Sequence, residues 1–301
     1  MKAFLSSLNG AISAVIYVIN TIFWVIPLLF FSLLKLLPIR IWRKWMSWVV
    51  DGIASLWIAV NNLNQRIFSR TKFVLSGKAK LSIEQWYLVI SNHQSWVDIL
   101  VLQRVFNYEI PFLKFFLKKN LIYVPFLGLA WWALDFPFMQ RYSRAFLEKH
   151  PHLKGKDLET TKKACEKFES KPVSIMNFVE GTRFSKEKRD DSSEFKHLLP
   201  PRSGGIAFVL NAMGERLTKL VNVTIYYPNG IPSYWDFVCG RVNSIAVYID
   251  TIEIKRLFEE GLFSEKYFDS ESDRQVFQQW VNQLWLEKDQ QIEQLSQEKF
   301  H

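Results

Sequence analysis

The stretch VISNHQSWVDIL, residues 89–100, carries a histidine and an aspartate within an otherwise mostly apolar run. His93 and Asp98 stand five positions apart, and each is costly to bury without a partner. The two nitrogens of an imidazole can do separate jobs, because one takes a proton from a reacting group while the other donates to a carboxylate. The pair therefore suits a general base, His93, that is oriented by Asp98.

The same stretch allows a purely structural interpretation. Ser95 and Asp98 spell S-x-x-D, the pattern of a capping box at the start of a helix. On this interpretation Asp98 only holds the first turn of a helix over 97–106, and Ser95, a hydroxyl two residues after His93, is a cap and not a nucleophile. The residues alone leave both roles of Asp98 open.

A second polar turn, NFVEGTRF at 177–184, also follows an apolar strand. It contains Glu180, Gly181, Thr182 and Arg183. The glycine permits close backbone approach, and the arginine offers a planar fork for phosphate or carboxylate. Taken alone, a plain surface turn is the simpler explanation of this string. Two polar turns at the ends of two strands of one sheet can meet in one crevice, however, so we expect both motifs to share a site.

Short apolar runs alternate with polar helical stretches after residue 70, which indicates an α/β domain. Strands are predicted at 71–76, 86–91, 173–179, 220–227 and 244–250, and helices at 97–106, 157–170, 203–213 and 273–297. The last helix carries apolar residues at helical spacing, which favours packing over function. We predict a domain over 66–255 and a helical extension over 256–301 that packs on it.

The amino-terminal stretch is apolar, with no charged residue between Lys2 and Lys35. Its run over 11–34 exceeds the roughly 7–15 residues of a signal-peptide core and is long enough to be membrane-embedded, as one tilted span or a re-entrant bend. Basic residues follow directly, which places the remaining chain in the cytoplasm. The tryptophan-rich stretch 41–63 has the pattern of an interfacial or a core helix. Residues 1–65 are thus predicted to form a membrane helix or helical hairpin with an interfacial helix.

The composition narrows the classes of partner. A net charge of +9, with twelve tryptophans and twenty-five phenylalanines, suits an anionic and apolar membrane better than nucleic acid, which satisfies only the charge. Lys114, Lys118 and Lys119 form a basic cluster that suits phosphates or anionic head groups, although such clusters are usually just solvated. Cys165 and Cys239 have neither metal nor disulfide spacing. No H-x-x-x-H pair or G-x-S-x-G elbow is present, which argues against a metal hydrolase and an acyl-enzyme.

The motifs resemble those of the membrane glycerolipid acyltransferases, the family that includes 1-acylglycerol-3-phosphate O-acyltransferase. The H-x4-D motif of that family matches NHQSWVD, and its F-x-E-G-T/S-R block matches FVEGTR at 178–183. PFLG at 125–128 and the following Arg141 match a Pro-x-x-Gly stretch and an arginine that helps to bind the acceptor phosphate. NVTIYYP at 222–228 departs from the usual Val-Pro-Val strand. LLPPRSGGIAF at 198–208 resembles the branch of lysocardiolipin and other lysophospholipid acyltransferases. The resemblance covers most of the chain beyond residue 85.

The resemblance implies a mixed central sheet flanked by helices, and acyl transfer to the free hydroxyl of a lysophospholipid, most of all lysophosphatidic acid. The donor would be acyl-coenzyme A or acyl carrier protein, and His93 with Asp98 would act as general base without an acyl-enzyme. Arg183 and Arg141 would hold the acceptor phosphate. The remaining residues of the second turn, Glu180, Gly181 and Thr182, would complete the substrate-binding site. Neither a metal nor another cofactor is implied.

The expected partners are membrane lipids, the lysophospholipid acceptor and the acyl donor, without nucleic acid. The expected location is the inner (cytoplasmic) membrane, with the catalytic domain facing the cytoplasm. Three alternatives stay open: an acceptor of lysophosphatidylglycerol or lysocardiolipin type, a thioesterase or phospholipase that uses the same pair on water, and a non-catalytic membrane scaffold. A scaffold has no need of His93, Asp98, Glu180 and Arg183 together, which counts against the last alternative.

Overall fold

The computed structural model describes residues 2–77, 80–139, 165, 168, 171–190 and 192–297. The α-helices with described bounds are α1 (Lys2–Leu34), α2 (Arg40–Asn64), α3 (Val97–Phe106), α4 (Leu127–Ala133), α5 (Gly204–Met213), α6 (Tyr234–Val238), α7 (Ile254–Glu259) and α8 (Glu271–Gln297). The strands are β1 (Lys72–Ser76), β2 (Tyr87–Ser91), β3 (Leu113–Phe115), β4 (Leu117–Lys118), β5 (Phe138–Met139), β6 (Ser174–Phe178), β7 (Lys219–Tyr226) and β8 (Ser244–Glu253).

Six of these strands form one sheet in the order β1-β8-β7-β2-β6-β3. Neighbouring strands run parallel except β7 and β8, which are antiparallel. The predicted mixed central sheet flanked by helices is therefore confirmed. The parallel register pairs Ser91 at the end of β2 with Phe178 at the end of β6, so the two polar turns leave the sheet at the same edge.

All five predicted strands are present, as are the predicted helices α3, α5 and α8. The predicted helix at 157–170 lies outside the described residues, apart from positions 165 and 168. Strands β3, β4 and β5 were not predicted. Each has only two or three residues, which is too short for an alternating pattern to show.

The central strand β2 is buried along its whole length. Leu88 and Ile90 pack into the hydrophobic cluster on one face of the sheet, and Tyr87 and Val89 pack into the cluster on the other. The first cluster includes side chains of α5 and α8, and the second includes side chains of α3. Burial on both faces explains why the strand reads as a continuous apolar run.

The amino-terminal helices α1 and α2 form an antiparallel hairpin. Its inner face is tied by polar side chains: Asn20 Nδ2 donates to Asn61 Oδ1 at 2.8 Å, and Asn64 Nδ2 donates to Ser13 Oγ at 3.1 Å. Helix α1 continues through Pro27, so the apolar run is one helix and not a re-entrant bend. Within the described residues, one helix, at 3–34, is long and apolar enough to cross a membrane by length and composition.

Candidate active site

The first polar turn places His93 two residues after the end of β2. Its Nδ1 lies 2.8 Å from Asp98 Oδ2, the distance at which the protonated Nδ1 donates to the carboxylate. The imidazole stacks on Phe178 with the ring centroids 3.9 Å apart, and its side chain keeps 13% of its surface exposed. Among the described residues, no group hydrogen-bonds Nε2, so this nitrogen can accept a proton from an incoming molecule.

Asp98 is fully buried at the start of α3 and accepts four hydrogen bonds. Oδ2 accepts from His93 and from the main-chain N–H groups of Gln94, at 2.6 Å, and Ser95, at 2.8 Å. Oδ1 accepts from the hydroxyl of Tyr227 at 2.5 Å. Burial beside Asp98 raises the pKa of Tyr227 well above its usual range, so this hydroxyl stays protonated and keeps donating.

The two interpretations of Asp98 that the sequence left open turn out to be compatible. The carboxylate accepts from the N–H of Ser95, which is one half of a capping box, and the same oxygen orients His93. The other half is not formed, because Asp98 N–H donates to the Ser95 carbonyl and not to its hydroxyl. The Ser95 hydroxyl accepts from Val97 N–H at 3.1 Å and donates to the carbonyl of Pro232 at 2.6 Å. Ser95 is thus committed to the local structure, as the capping interpretation expects.

Glu180 connects the second polar turn to the first. It is 1% exposed; Oε1 accepts from the main-chain N–H of His93 and Oε2 from that of Leu199, both at 3.0 Å. The carbonyl of His93 also accepts from Phe184 N–H at 2.7 Å. Burial raises the pKa of Glu180 to about 8. Since both oxygens bind the protein's own backbone, Glu180 holds His93 in place from inside; its predicted contact with substrate stays a prediction.

The remaining residues of the second turn lie at its surface. Gly181 has a φ of +71°, the left-handed conformation that glycine adopts without strain. Thr182 Oγ1 accepts from Lys188 Nζ at 2.9 Å. The Arg183 guanidinium is exposed and stacks 4.5 Å above the ring of Trp96, which brings it to the turn that carries His93. The predicted Arg141 lies outside the described residues.

Two side chains of this site were missed by the sequence analysis. Tyr227 reaches Asp98 from the end of β7, and nothing in the string YYP marks it. The amide of Asn92 lies next to His93, donates to the carbonyl of Ile225 and accepts from its N–H, both at 2.9 Å. Asn92 was read as part of the first motif without a role, because its partner is 133 residues away in the chain.

The basic cluster expected at 114–119 is divided by the fold. Lys118 and Lys119 are exposed. Lys114 is 1% exposed, donates to the carbonyl of Leu134 at 2.5 Å and lies 3.6 Å from a carboxylate oxygen of Asp51. The prediction that Lys114 binds phosphates or anionic head groups, or is solvated, was therefore wrong. No group of three or more metal-ligating side chains occurs in the part of the chain that the structure describes.

Comparison with known proteins agrees with this arrangement. The family model described as Acyltransferase matches residues 72–228, which include both polar turns. The chain belongs to the acyltransferase family. A crystal structure of the 1-acyl-sn-glycerophosphate (LPA) acyltransferase PlsC from Thermotoga maritima is 17% identical and covers 100% of both chains, with a TM-score of 0.56. That likeness establishes a shared fold.

Two curated relatives of this acyltransferase are named for acyl transfer to glycerolipids or lysophospholipids, and a third is named only as an acyltransferase. Lysocardiolipin acyltransferase 1 of Danio rerio is 26% identical over 71% of this chain and 54% of its own length. The 1-acyl-sn-glycerol-3-phosphate acyltransferase 3 of Arabidopsis thaliana is 24% identical over 89% of this chain and 69% of its own length. An uncharacterised acyltransferase of Saccharomyces cerevisiae is 26% identical over 68% of this chain and 58% of its own length. This chain therefore spans just over half the length of two of these three relatives.

Proposed function

We propose that the protein transfers a fatty acyl group from acyl-coenzyme A or acyl carrier protein to the free hydroxyl of a lysophospholipid, most of all lysophosphatidic acid. The observation that carries this proposal is the His93–Asp98 pair, 2.8 Å from Nδ1 to Oδ2, with Nε2 left to face an incoming group. Relatives named for lysophosphatidic acid and lysocardiolipin acyl transfer support the reaction class.

In the proposed mechanism His93 Nε2 takes the proton of the acceptor hydroxyl as its oxygen bonds to the thioester carbonyl carbon. The carbon–sulfur bond then breaks, and the imidazolium returns the proton to the departing thiolate. Asp98 holds Nδ1 and stabilises the imidazolium while it carries the extra proton. The acyl group passes directly to the acceptor, which agrees with the Ser95 hydroxyl being engaged by Val97 and Pro232.

Arg183 is the described residue best suited to the acceptor phosphate in this proposal. It is exposed, its guanidinium is held over Trp96, and a planar guanidinium binds phosphate through two parallel hydrogen bonds. Arg141 completes the phosphate site according to the family resemblance. Glu180 acts in this proposal through the backbone of His93, and Gly181 and Thr182 shape the turn that presents Arg183.

We propose that the hairpin lies in one leaflet on the cytoplasmic face of the membrane. Both ends of α1 contact the α/β domain: Ser6 Oγ donates to the Cys239 carbonyl at 2.9 Å, and Ser32 Oγ to the Ala133 carbonyl at 3.4 Å. A helix of this length is about 50 Å long, and a helix anchored to one domain at both ends cannot cross a bilayer. Its outward side chains include Phe4, Ile19, Phe23, Ile26 and Phe30, which suits burial in acyl chains.

The test is thiol release by detergent-purified protein given acyl-coenzyme A and a panel of acceptors: lysophosphatidic acid, lysophosphatidylglycerol and monolysocardiolipin. Lipid products are identified by mass. Release that requires one acceptor, with the matching acylated lipid, supports the proposal and names the substrate. Release without acceptor and without a new lipid identifies a thioesterase. Absence of transfer with both coenzyme A and carrier-protein donors contradicts the proposal.

A further inference from the structure

The C-terminal helix α8 (Glu271–Gln297) lies beyond the residues that the acyltransferase family model matches. It nevertheless buries two consecutive charged residues, Lys288 and Asp289, which are 2% and 6% exposed. Burying a charge carries a large desolvation cost unless hydrogen bonds offset it. The contacts of both side chains lead to the candidate active site.

Lys288 binds β7, the strand whose end holds the His93–Asp98 pair. Its Nζ donates to the carbonyl of Val223 at 2.5 Å and lies 3.1 Å from Thr224 Oγ1. Val223 is paired in register with Ser91, two residues before His93. The next residues of the same chain segment are Ile225, which binds the amide of Asn92, and Tyr227, which donates to Asp98. The ammonium therefore fixes β7 just before both of these contacts.

Asp289 binds the segment that holds the other polar turn. Its Oδ2 accepts from Lys196 N–H at 3.0 Å and its Oδ1 from His197 N–H at 2.8 Å. Two residues later, Leu199 N–H donates to Glu180, whose other oxygen accepts from His93 N–H. One carboxylate on α8 thus anchors the loop that supplies a partner to Glu180.

We propose that Lys288 and Asp289 are positioning residues of the acyl-transfer site, which fix the two main-chain segments that hold His93 and Asp98; this inference rests on the proposed function. Neither residue touches a substrate. Burial lowers the pKa of Lys288 to about 7, and the charges of Glu180 and Asp250 oppose this shift.

Attachment of α8 to the core does not require these charges. Phe277, Val281 and Trp285 of the same helix are fully buried in the hydrophobic cluster. Lys288→Met keeps this apolar packing and removes the donor to the Val223 carbonyl, so the fold should persist with some loss of stability. If Lys288 only attached α8 to the core, Lys288→Met should retain acyl transfer. If Lys288 positions the site, Lys288→Met should lower it.

The experiment compares Lys288→Met and Asp289→Asn with the control Glu287→Gln. Glu287 is an exposed neighbour on α8 whose one hydrogen bond in the described structure is to Gln283. We expect Lys288→Met to stay folded, with a lowered melting temperature, while kcat measured well below that temperature falls about tenfold to a hundredfold, as displaced catalytic groups produce. The KM for the acyl donor should change little, because no donor contact is removed. Asp289→Asn should lower kcat in the same way, and Glu287→Gln should leave it unchanged.

A second readout does not depend on turnover. In protein with 15N-labelled histidine, the Nδ1 proton of His93, assigned through His93→Gln, reports the hydrogen bond to Asp98. We expect Lys288→Met and Asp289→Asn to shift or broaden this signal, and Glu287→Gln to preserve it. Wild-type protein that transfers no acyl group would refute the proposed function, while this signal would still decide the positioning role.

Unchanged kcat and an unchanged His93 signal in both Lys288→Met and Asp289→Asn would overturn the inference. If Lys288→Met does not fold, Asp289→Asn alone decides: unchanged kcat and an unchanged His93 signal in Asp289→Asn would then overturn the inference.

Discussion

Asp98 shows how a single carboxylate can be both a helix cap and the partner of a general base. Its two oxygens accept from His93, Gln94, Ser95 and Tyr227. The sequence identified His93 and Asp98 through their spacing, but the S-x-x-D pattern could not reveal that both roles coexist. Tyr227 was beyond prediction because its contact depends on the packing of β7 beside β2 and α3.

Replacing Tyr227 by phenylalanine tests the residue-scale account. The change leaves a buried oxygen of Asp98 without one donor, at a cost of about 1–3 kcal/mol, and allows the imidazole more freedom. We expect kcat to fall about tenfold, the equivalent of about 1.4 kcal/mol in barrier, with the fold retained by circular dichroism. Tyr108→Phe, at an exposed tyrosine, is the control. Full activity in Tyr227→Phe would show that this tyrosine does not support the His93–Asp98 pair.

Glu180 gives a prediction about pH. Burial raises the pKa of Glu180 to about 8 in the folded protein, above its ordinary value of 4.5. Between these two pH values the folded protein keeps a proton on Glu180 that the unfolded chain has lost. Its contribution to stability is full below pH 4.5 and is lost as pH rises through about 8. Asp98 raises and Lys288 lowers the pKa of Glu180, and both charges remain in Glu180→Gln.

Glutamine resembles the protonated carboxyl and does not titrate. The stability advantage of the wild type over Glu180→Gln should therefore shrink as pH rises from 5 to 9, measured by urea denaturation at each pH. A difference that stays constant across this range would show that Glu180 ionises normally in the folded protein. Glu84→Gln, an exposed glutamate, controls for the loss of a charge.

At the scale of elements, the parallel pairing of β2 with β6 decides where the chemistry lies. Because Ser91 and Phe178 are in register, His93 and Glu180 each follow by two residues and meet at one edge. This was predictable, since parallel strands end at the same edge of a sheet and both strands show buried apolar runs. The role of α8 was not predictable, because a lysine on a helix is usually exposed and Lys288 stands beside an aromatic pattern typical of packing.

The hairpin geometry predicts a topology. In a variant with Cys165 and Cys239 replaced by alanine, single cysteines at Ser7, Arg40 and Ser272 report the two ends of α1 and the helix α8 that packs on the α/β domain. We expect a membrane-impermeant maleimide to label all three from the same side of sealed vesicles, because both ends of α1 contact the domain. Labelling of Ser7→Cys and Arg40→Cys from opposite sides would show that α1 spans the bilayer.

At the scale of the whole molecule, a buried ionic cluster joins the hairpin to the α/β domain. Asp51 of α2 forms an ion pair with Lys171, lies 3.6 Å from Lys114 Nζ and is 14% exposed. Lys35, just after α1, pairs with Asp135 beyond α4. The sequence suggested that Lys114 is solvated or binds an anionic group, since a linear pattern does not show which carboxylate a lysine meets. These contacts join the amino-terminal hairpin and the central sheet into one packed body.

Asp51→Asn should weaken this junction. Two lysines would remain buried without their carboxylate, and removing one partner of a buried pair costs about 3–5 kcal/mol. We expect a lower urea midpoint and faster proteolysis between α2 and β1, around residues 65–72. The exposed Asp269→Asn should leave both unchanged. An unaltered midpoint in Asp51→Asn would mean that apolar packing alone holds the hairpin.

The measurement that tests the central claim most directly is the acyl-transfer rate of His93→Ala beside the wild type, with the preferred lysophospholipid and acyl-coenzyme A. Removal of a general base costs about 10²–10⁴-fold in rate. We predict a loss of at least that size in a variant that still folds and still partitions into membranes. Near-normal turnover by His93→Ala would contradict the assignment of His93 as the base, and with it the mechanism built on the His93–Asp98 pair.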